Sequence, residues 1–392
     1  MYALDSVNVL TFESGVSAPL CTRLLADLGA EVIKVEPPGV GDVNRHWDTA
    51  VHGRSSAHVW VNRNKRSIEL DLKSNSGEDI ALELAAKADV VVQNFLPGVV
   101  ERLGIGYETV ATHNKDVIYL NISGYGPSGP YKDRRAYDLV TQGETGLILL
   151  NGTSESPAKI PLSVCDINAG MYGAMAVLTA LYHHERTGTG QELDVDMFSG
   201  ILSWLGYFPL KYWYQGESPE RVGMHHHLLV PYGPFQTSDD QYVNFAILSE
   251  AHWETFCESV INRPGWIDDK RFETNEKRVV NRETLEPRIE EIVATKTRGD
   301  WVEKLDKENI PWGDVNTLEE VLNHPVVEAR DLVTEIEMDG KEVKVIEHPI
   351  TFGDNDVRHE STPDLGEDTG AILEELGITR AEIQRLDDED II

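Results

Sequence analysis

Apolar positions along the first 200 residues follow two periods. "VNVLTF" (7–12), "EVIKVE" (31–36), "DVVVQNF" (89–95), "DVIYLNISG" (116–124) and "QELDVDMF" (191–198) are short, apolar and β-branched, the pattern of strands. Between them, "APLCTRLLADLGA" (18–30) spaces its apolar residues as a helix does and ends at a plausible stop, Gly29. "GEDIALELAAKA" (77–88) sets acids in its first turn and Lys87 near its end, as the helix dipole favours. "NAGMYGAMAVLTALYHHERTG" (168–188) reads as one long helix. Strands alternating with helices predict a parallel sheet with right-handed crossovers, an α/β fold.

After residue 200 the pattern changes. Residues 201–225 are aromatic and loop-like and read as a linker. Residues 226–325 read as a smaller α+β domain. There "YGPFQTSDDQYVNFAIL" predicts a hairpin turning at Ser238-Asp239-Asp240, and helices follow around 250–260, 282–295, 300–308 and 317–323. Residues 326–361 read as a second linker, and residues 362–392 hold two short helices.

Composition narrows the classes of function. The 67 acids against 35 bases give a formal net charge of −32. Self-repulsion on that scale is relieved by salt, so the chain reads as adapted to a salt-rich cytoplasm. It argues against nucleic-acid partners, which need Lys and Arg to displace counterions, and equally against anionic membranes. Three cysteines, Cys21, Cys165 and Cys257, lie far apart with no CxxC, which suggests neither disulfide framework nor zinc site and suits a reducing compartment. The first residues lack the marks of a signal peptide, and no unbroken apolar run approaches membrane-spanning length, so no membrane partner is expected.

Several stretches carry chemistry. "NRNKRS" (62–67) and "YKDRR" (131–135) concentrate cations; they suit either a polyphosphate ligand or ion pairs with nearby acids. "PPGVGDVNRHW" (37–47) is a Gly/Pro loop after a strand, where α/β folds bind ligands, but it is neither GxGxxG nor a Walker loop. Adjacent His225, His226 and His227 do not share a face as metal ligands would, and neither HExxH nor GxSxG occurs, so no metal or serine-hydrolase site is expected. "LSVCDINAG" (162–170) sets one acid, Asp166, at the mouth of the long helix: either a cap or a nucleophile.

Six stretches taken in order resemble the family III CoA-transferases, the group of formyl-CoA transferase and its CaiB/BaiF relatives. They are "NVLTFESGVSAPLCTRLLADLGAEVIKVEPPGVGDVNR", "NKRSIELDLK", "ADVVVQNFLPGVVERLGI", "ISGYGPSGPYKDRRAYDLV", "CDINAGMYGAMAVLTALYHHERTGTGQELDVDM" and "LGEDTGAILEELGI". The resemblance implies a Rossmann-like large domain built from residues 1–200 and 362–392, the smaller domain between two linkers, and an interlocked homodimer. It implies that Asp166 is the nucleophile of CoA transfer between carboxylic acids, with Cys165 where the family usually has Gly. It implies an acyl-CoA substrate and a free acid substrate, and no tightly bound cofactor. CoA contacts carry over to Val16, to Leu70, Asp71, Leu72 and Lys73, to Asn94, Phe95 and Leu96, to Arg102, and to Arg135, Ala136 and Tyr137. Arg102 and Arg135 would meet phosphates.

Two departures bear on the substrate. The Gln that follows a Val in the first loop of formyl-CoA transferases is missing beside Gly15-Val16, and "GMHHHLLVPYGPF" (223–235) replaces their glycine-rich flap. Formate and oxalate therefore become poor guesses. The related α-methylacyl-CoA racemases pair the Asp with a His that falls here at Tyr137, a weak base, which disfavours racemisation. A silent CoA-binding module is the third reading. The acidic composition suggests a haloarchaeal member working in the cytoplasm; for such a member the resemblance implies succinyl-CoA and a C4 or C5 dicarboxylate such as mesaconate, with monocarboxylic acids left open. Arg45, His46, His225, His226 and His227 are candidates for the substrate's second carboxylate.

Overall fold

The computed structural model describes residues 1–392, and the chain divides into two compact units. The first comprises residues 1–145, 160–206 and 328–392. Its centre is a six-stranded sheet of β1 (Asn8–Phe12), β2 (Glu31–Glu36), β3 (Lys65–Glu69), β4 (Val90–Gln93), β5 (Ile118–Ser123) and β6 (Gln191–Asp196). The strand order is β3-β2-β1-β4-β5-β6 and every pairing is parallel. This is the doubly wound order, with its reversal point between β1 and β4.

On one face of the sheet, strands and helices meet in a common core. Leu10, Phe12, Val91 and Tyr119 from the strands pack with Ile80, Leu84 and Val110 from helices. The end of the chain completes it: Ile372, Leu373, Leu386 and Ile391 are buried in the same cluster, and Asp71 N–H donates to Ile391 O at 2.8 Å.

The long helix spans Val164–Thr187 and ends on Gly188 in the left-handed region, at φ 67°. Its small residues let it approach the Ser17–Asp27 helix closely. A Cβ on Gly170 would lie 2.7 Å from Ser17 O, and one on Gly173 3.1 Å from Cys21 Sγ. The helix is long and apolar enough to cross a membrane by length and composition, contrary to the expectation from unbroken runs; half of its most apolar window is buried inside the protein.

Residues 146–159 and 207–327 form the second unit. Its sheet is antiparallel: β7 (Tyr232–Gln236), β8 (Tyr242–Ala246) and β9 (Trp312–Asp314), in that order. Phe235, Phe245, Trp253, Phe256 and Trp301 build its core.

Three expectations need correction. Residues 201–225 are not a plain linker: they hold the end of the Met197–Trp204 helix and the Phe208–Gln215 helix, on either side of the boundary at Gly206. Residues 326–361 contain the hairpin of β10 (Val333–Met338) and β11 (Lys341–Ile346), whose Ile336, Met338 and Val343 bury Val59. The cations of "NRNKRS" do not wait for a phosphate. Lys65 opens β3 and is buried against Glu13 at 2.6 Å, Arg63 pairs with Asp27 at 2.8 Å, and Arg66 pairs with Glu375 at 2.9 Å.

Candidate active site

A cavity of about 300 Å³ opens at the carboxyl ends of β1, β4, β5 and β6. Each strand delivers part of its wall. The loop after β1 brings Ser14 to Ser17, the loop after β4 brings Asn94 to Leu96, Gly124 follows β5 and Met197 follows β6. This is where open α/β sheets bind ligands, because the strand order reverses there and the crossing loops part.

The β1 loop is fixed from two sides. Asn94 clamps it: Oδ1 accepts Ser14 N–H at 2.9 Å and Nδ2 donates to Ser14 O at 2.8 Å. Asp42 holds it from below: Oδ1 accepts Gly15 N–H and Ser14 Oγ–H, both at 2.9 Å. The other Asp42 oxygen accepts Lys34 Nζ at 2.6 Å, and Lys34 is fully buried beside Glu13. Burial opposes the charge on Asp42, yet the Lys34 ammonium and the donated N–H bonds keep its carboxyl below the usual range. A buried pair of this kind costs desolvation energy and returns a rigid geometry only while every partner is present.

Val16 caps the Ser17–Asp27 helix with no side-chain bond to the helix, and Val16 and Ser17 at its N-terminus both line the cavity. Asp166 enters from the long helix, in its first turn. The cap reading of Asp166 is displaced by another acid. Asp138 Oδ1 accepts Cys165 N–H at 2.9 Å and Oδ2 accepts Gln142 Nε2 at 2.7 Å. Burial pushes the Asp166 carboxyl up to about 7, the Asp138 charge adds to this, and a hydrogen bond from the Ser17 hydroxyl acts the other way. Near neutral pH the group is thus a poorly solvated carboxylate in exchange with its acid, between two helix N-termini. Such a group can attack an electrophilic carbon, and the amide dipoles around it can hold the oxyanion that results.

The expected contact residues divide. Val16, Asn94, Phe95, Leu96, Ala136 and Tyr137 line the cavity with Asp166. Leu70, Asp71, Leu72 and Lys73 follow β3 on the same edge of the sheet but outside this cavity; the Leu70 side chain is sealed in the core at 1 % exposure, which leaves only its backbone for a ligand. Arg102 and Arg135 are exposed and also outside it, while Lys132 and Arg134 are in its wall. Val43 and Trp47, two positions the sequence reading passed over, line it as well. Their signal was their place in the Gly/Pro loop after β2.

The substrate candidates fare differently. Arg45 is engaged: Nε and Nη2 grip the Glu36 carboxylate at 2.8 and 2.6 Å. His46 holds Val40 O through Nε2 at 2.9 Å. The three histidines belong to the second unit. His225 packs on Phe235, His226 stacks on Tyr232, and His227 Nε2 meets Glu220 O at 2.9 Å. Burial and the Arg282 cation lower the pKa of His225 and His226; burial lowers that of His227. All three are thus poor cations for a carboxylate. No group of three His, Cys, Asp or Glu side chains converges as metal ligands would.

A doubly wound sheet carrying a partly desolvated carboxylate at its reversal point defines an α/β protein fit for acyl-group chemistry. The chain belongs to CoA-transferase family III, whose family model matches residues 4–369, and it is a CoA-transferase. It is 35% identical to an acyl-CoA transferase of Fusarium pseudograminearum over 100% of this chain and 88% of that one. It is 33% identical to succinyl-CoA:mesaconate CoA-transferase of Haloarcula hispanica (96% and 97%) and 32% identical to acetyl-CoA:oxalate CoA-transferase of Acetobacter aceti (96% of each). Among solved structures, a CaiB/BaiF family protein from Brucella suis superposes with a TM-score of 0.84 at 33% identity, over 96% of this chain and 99% of that one. Relatives named for oxalate and for mesaconate are equally similar, so likeness alone does not choose the acid.

Proposed function

We propose that this enzyme moves CoA from succinyl-CoA to a C4 or C5 dicarboxylate such as mesaconate, through covalent intermediates on Asp166. The observation that carries the reading is the Asp166 carboxyl, pushed up to about 7 in a cavity at the sheet's reversal point. The Asp166 carboxylate attacks the thioester carbon and CoA leaves as thiolate, forming a mixed anhydride. The thiolate attacks the aspartyl carbonyl and releases the donor acid, leaving an aspartyl-CoA thioester. The acceptor carboxylate attacks that carbonyl, expelling the thiolate again, and the thiolate then takes the acceptor's acyl carbon from the new anhydride. Asp166 is regenerated, and each difficult exchange is split into two easier ones. First-turn N–H groups of the Ser17–Asp27 helix stabilise the oxyanions. Val16, Asn94 to Leu96, and Ala136 to Tyr137 hold the CoA arm near Asp166. The exposed Lys73, Arg102 and Arg135 take its phosphates.

The enzyme works without a tightly bound cofactor, in the cytoplasm of a salt-adapted cell, as an interlocked homodimer. An apolar groove on the first unit supports the dimer: Trp60, Met171, Met175 and Tyr182 line it at 41%, 53%, 55% and 65% exposure. Faces of that kind on soluble proteins mark association sites.

The test is chemical. The protein is incubated with succinyl-CoA, treated with hydroxylamine or borohydride and digested, and the Asp166 peptide is weighed. A mass change confined to that peptide is expected. Asp166→Ala should bind CoA and exchange nothing; an Ala variant that still exchanges would sink the assignment.

A further inference from the structure

A dicarboxylic acid brings two charges to this site and only one reacts. The other must be met by a cation, and more so in a chain of net charge −32, whose field repels anions. The cations near the cavity can be accounted for one at a time. Arg45 is bound to Glu36 through two hydrogen bonds. Lys34 is buried beneath the β1 loop, bound to Asp42. Arg134 lies in the wall but pairs with Glu144 at 2.8 Å and stacks over Tyr131 at 4.9 Å. Lys132 is left. It lines the same cavity as Asp166, is exposed, and its ammonium makes no ion pair or hydrogen bond within the protein.

The backbone that carries Lys132 is held. Tyr131 packs edge-on against Tyr125 at 5.5 Å, and Arg134 N–H donates to Tyr131 O at 2.9 Å. The Arg134–Glu144 pair anchors the same turn. A fixed turn with one free, flexible ammonium suits a small anion whose position varies with chain length, since lysine acts as a point charge on a mobile stem. Asp166 is the sole acid in the wall of the cavity, so nothing else there competes for that ammonium.

We infer that Lys132 binds the unreactive carboxylate of the exchanged acid and thereby selects dicarboxylates over monocarboxylates. The inference rests on the transfer reading above. A CoA phosphate offers the same oxyanion chemistry, so the experiment separates the two sources. With butyryl-CoA as donor, KM is measured for succinate, propionate and butyryl-CoA in the wild type, Lys132→Met and Lys132→Arg. Lys132→Met should raise KM for succinate about tenfold to a hundredfold, the worth of one charged hydrogen bond. KM for propionate and for butyryl-CoA should stay within about threefold, and Lys132→Arg should keep the succinate preference. Two results overturn the inference and leave the transfer reading standing: an equal rise for both acids, or a rise confined to butyryl-CoA. A wild type that favours propionate as much as succinate does the same. A wild type that transfers CoA to neither acid, from butyryl-CoA or from succinyl-CoA with isotope-labelled succinate, overturns both.

Discussion

Asp138 and Asp166 show how two acids of one type take different roles from their surroundings. Asp138 spends both oxygens on Cys165 N–H and Gln142 Nε2, whereas Asp166 is half-buried at the cavity wall, and there burial raises its pKa and the Ser17 hydroxyl opposes the rise. In the proposed mechanism the Asp166 carboxylate is the attacking form, so transfer should rise with pH through its pKa, about 7. Replacing Asp138 by Asn removes the neighbouring charge and keeps an oxygen for Cys165 N–H. The acidic limb of the kcat/KM profile should then move to lower pH, and an unmoved limb would show that burial alone sets the value. Asp166 was visible in the sequence as a lone acid at a helix mouth, and the family likeness chose its role. The acid that caps its helix was not visible, because Asp138 lies 27 residues before Cys165 and reaches its N–H only through the tertiary fold.

Glycine spacing in the long helix sets where Asp166 stands. Gly170 has no room for a side chain against Ser17 O and Leu20 Cβ, at 2.7 and 3.1 Å from an added Cβ. Gly170→Val should push the two helices apart, costing about 1–3 kcal/mol in thermal or urea unfolding. Exchange should fall by more than stability does, because the shift separates Asp166 from Ser17. Alternation of apolar residues disclosed five of the six parallel strands. It hid β3, since "KRSIE" reads as charged surface; Lys65 is buried there only because Glu13 and Asn62 meet its ammonium at 2.6 and 2.9 Å. The β10–β11 hairpin did have a local signal. Asp339-Gly340 sits between two alternating runs, and both residues have positive φ, at 53° and 71°, as a tight two-residue turn requires.

Across the whole molecule, charge is the dominant property. With 67 acids and 35 bases, repulsion acts at every distance that solvent does not screen, and molar salt cuts the screening length to about 3 Å. The melting temperature should rise steeply from dilute buffer to molar KCl as that repulsion is screened, while a protein of near-zero net charge would gain little; a flat dependence would remove the case for adaptation to salt. The acid that accepts CoA was not legible at this scale, since composition describes the surface and the choice is made by a few side chains around one cavity. The burial of Ile372, Leu373, Leu386 and Ile391 under strands from the first quarter of the chain has a consequence for biogenesis. On the ribosome, β1 to β4 emerge long before the residues that cover them. The nascent sheet must wait, one apolar face only partly covered by Ile80, Leu84 and Val110, until residues 372–391 are translated, and that interval is when the newborn polypeptide most needs a chaperone.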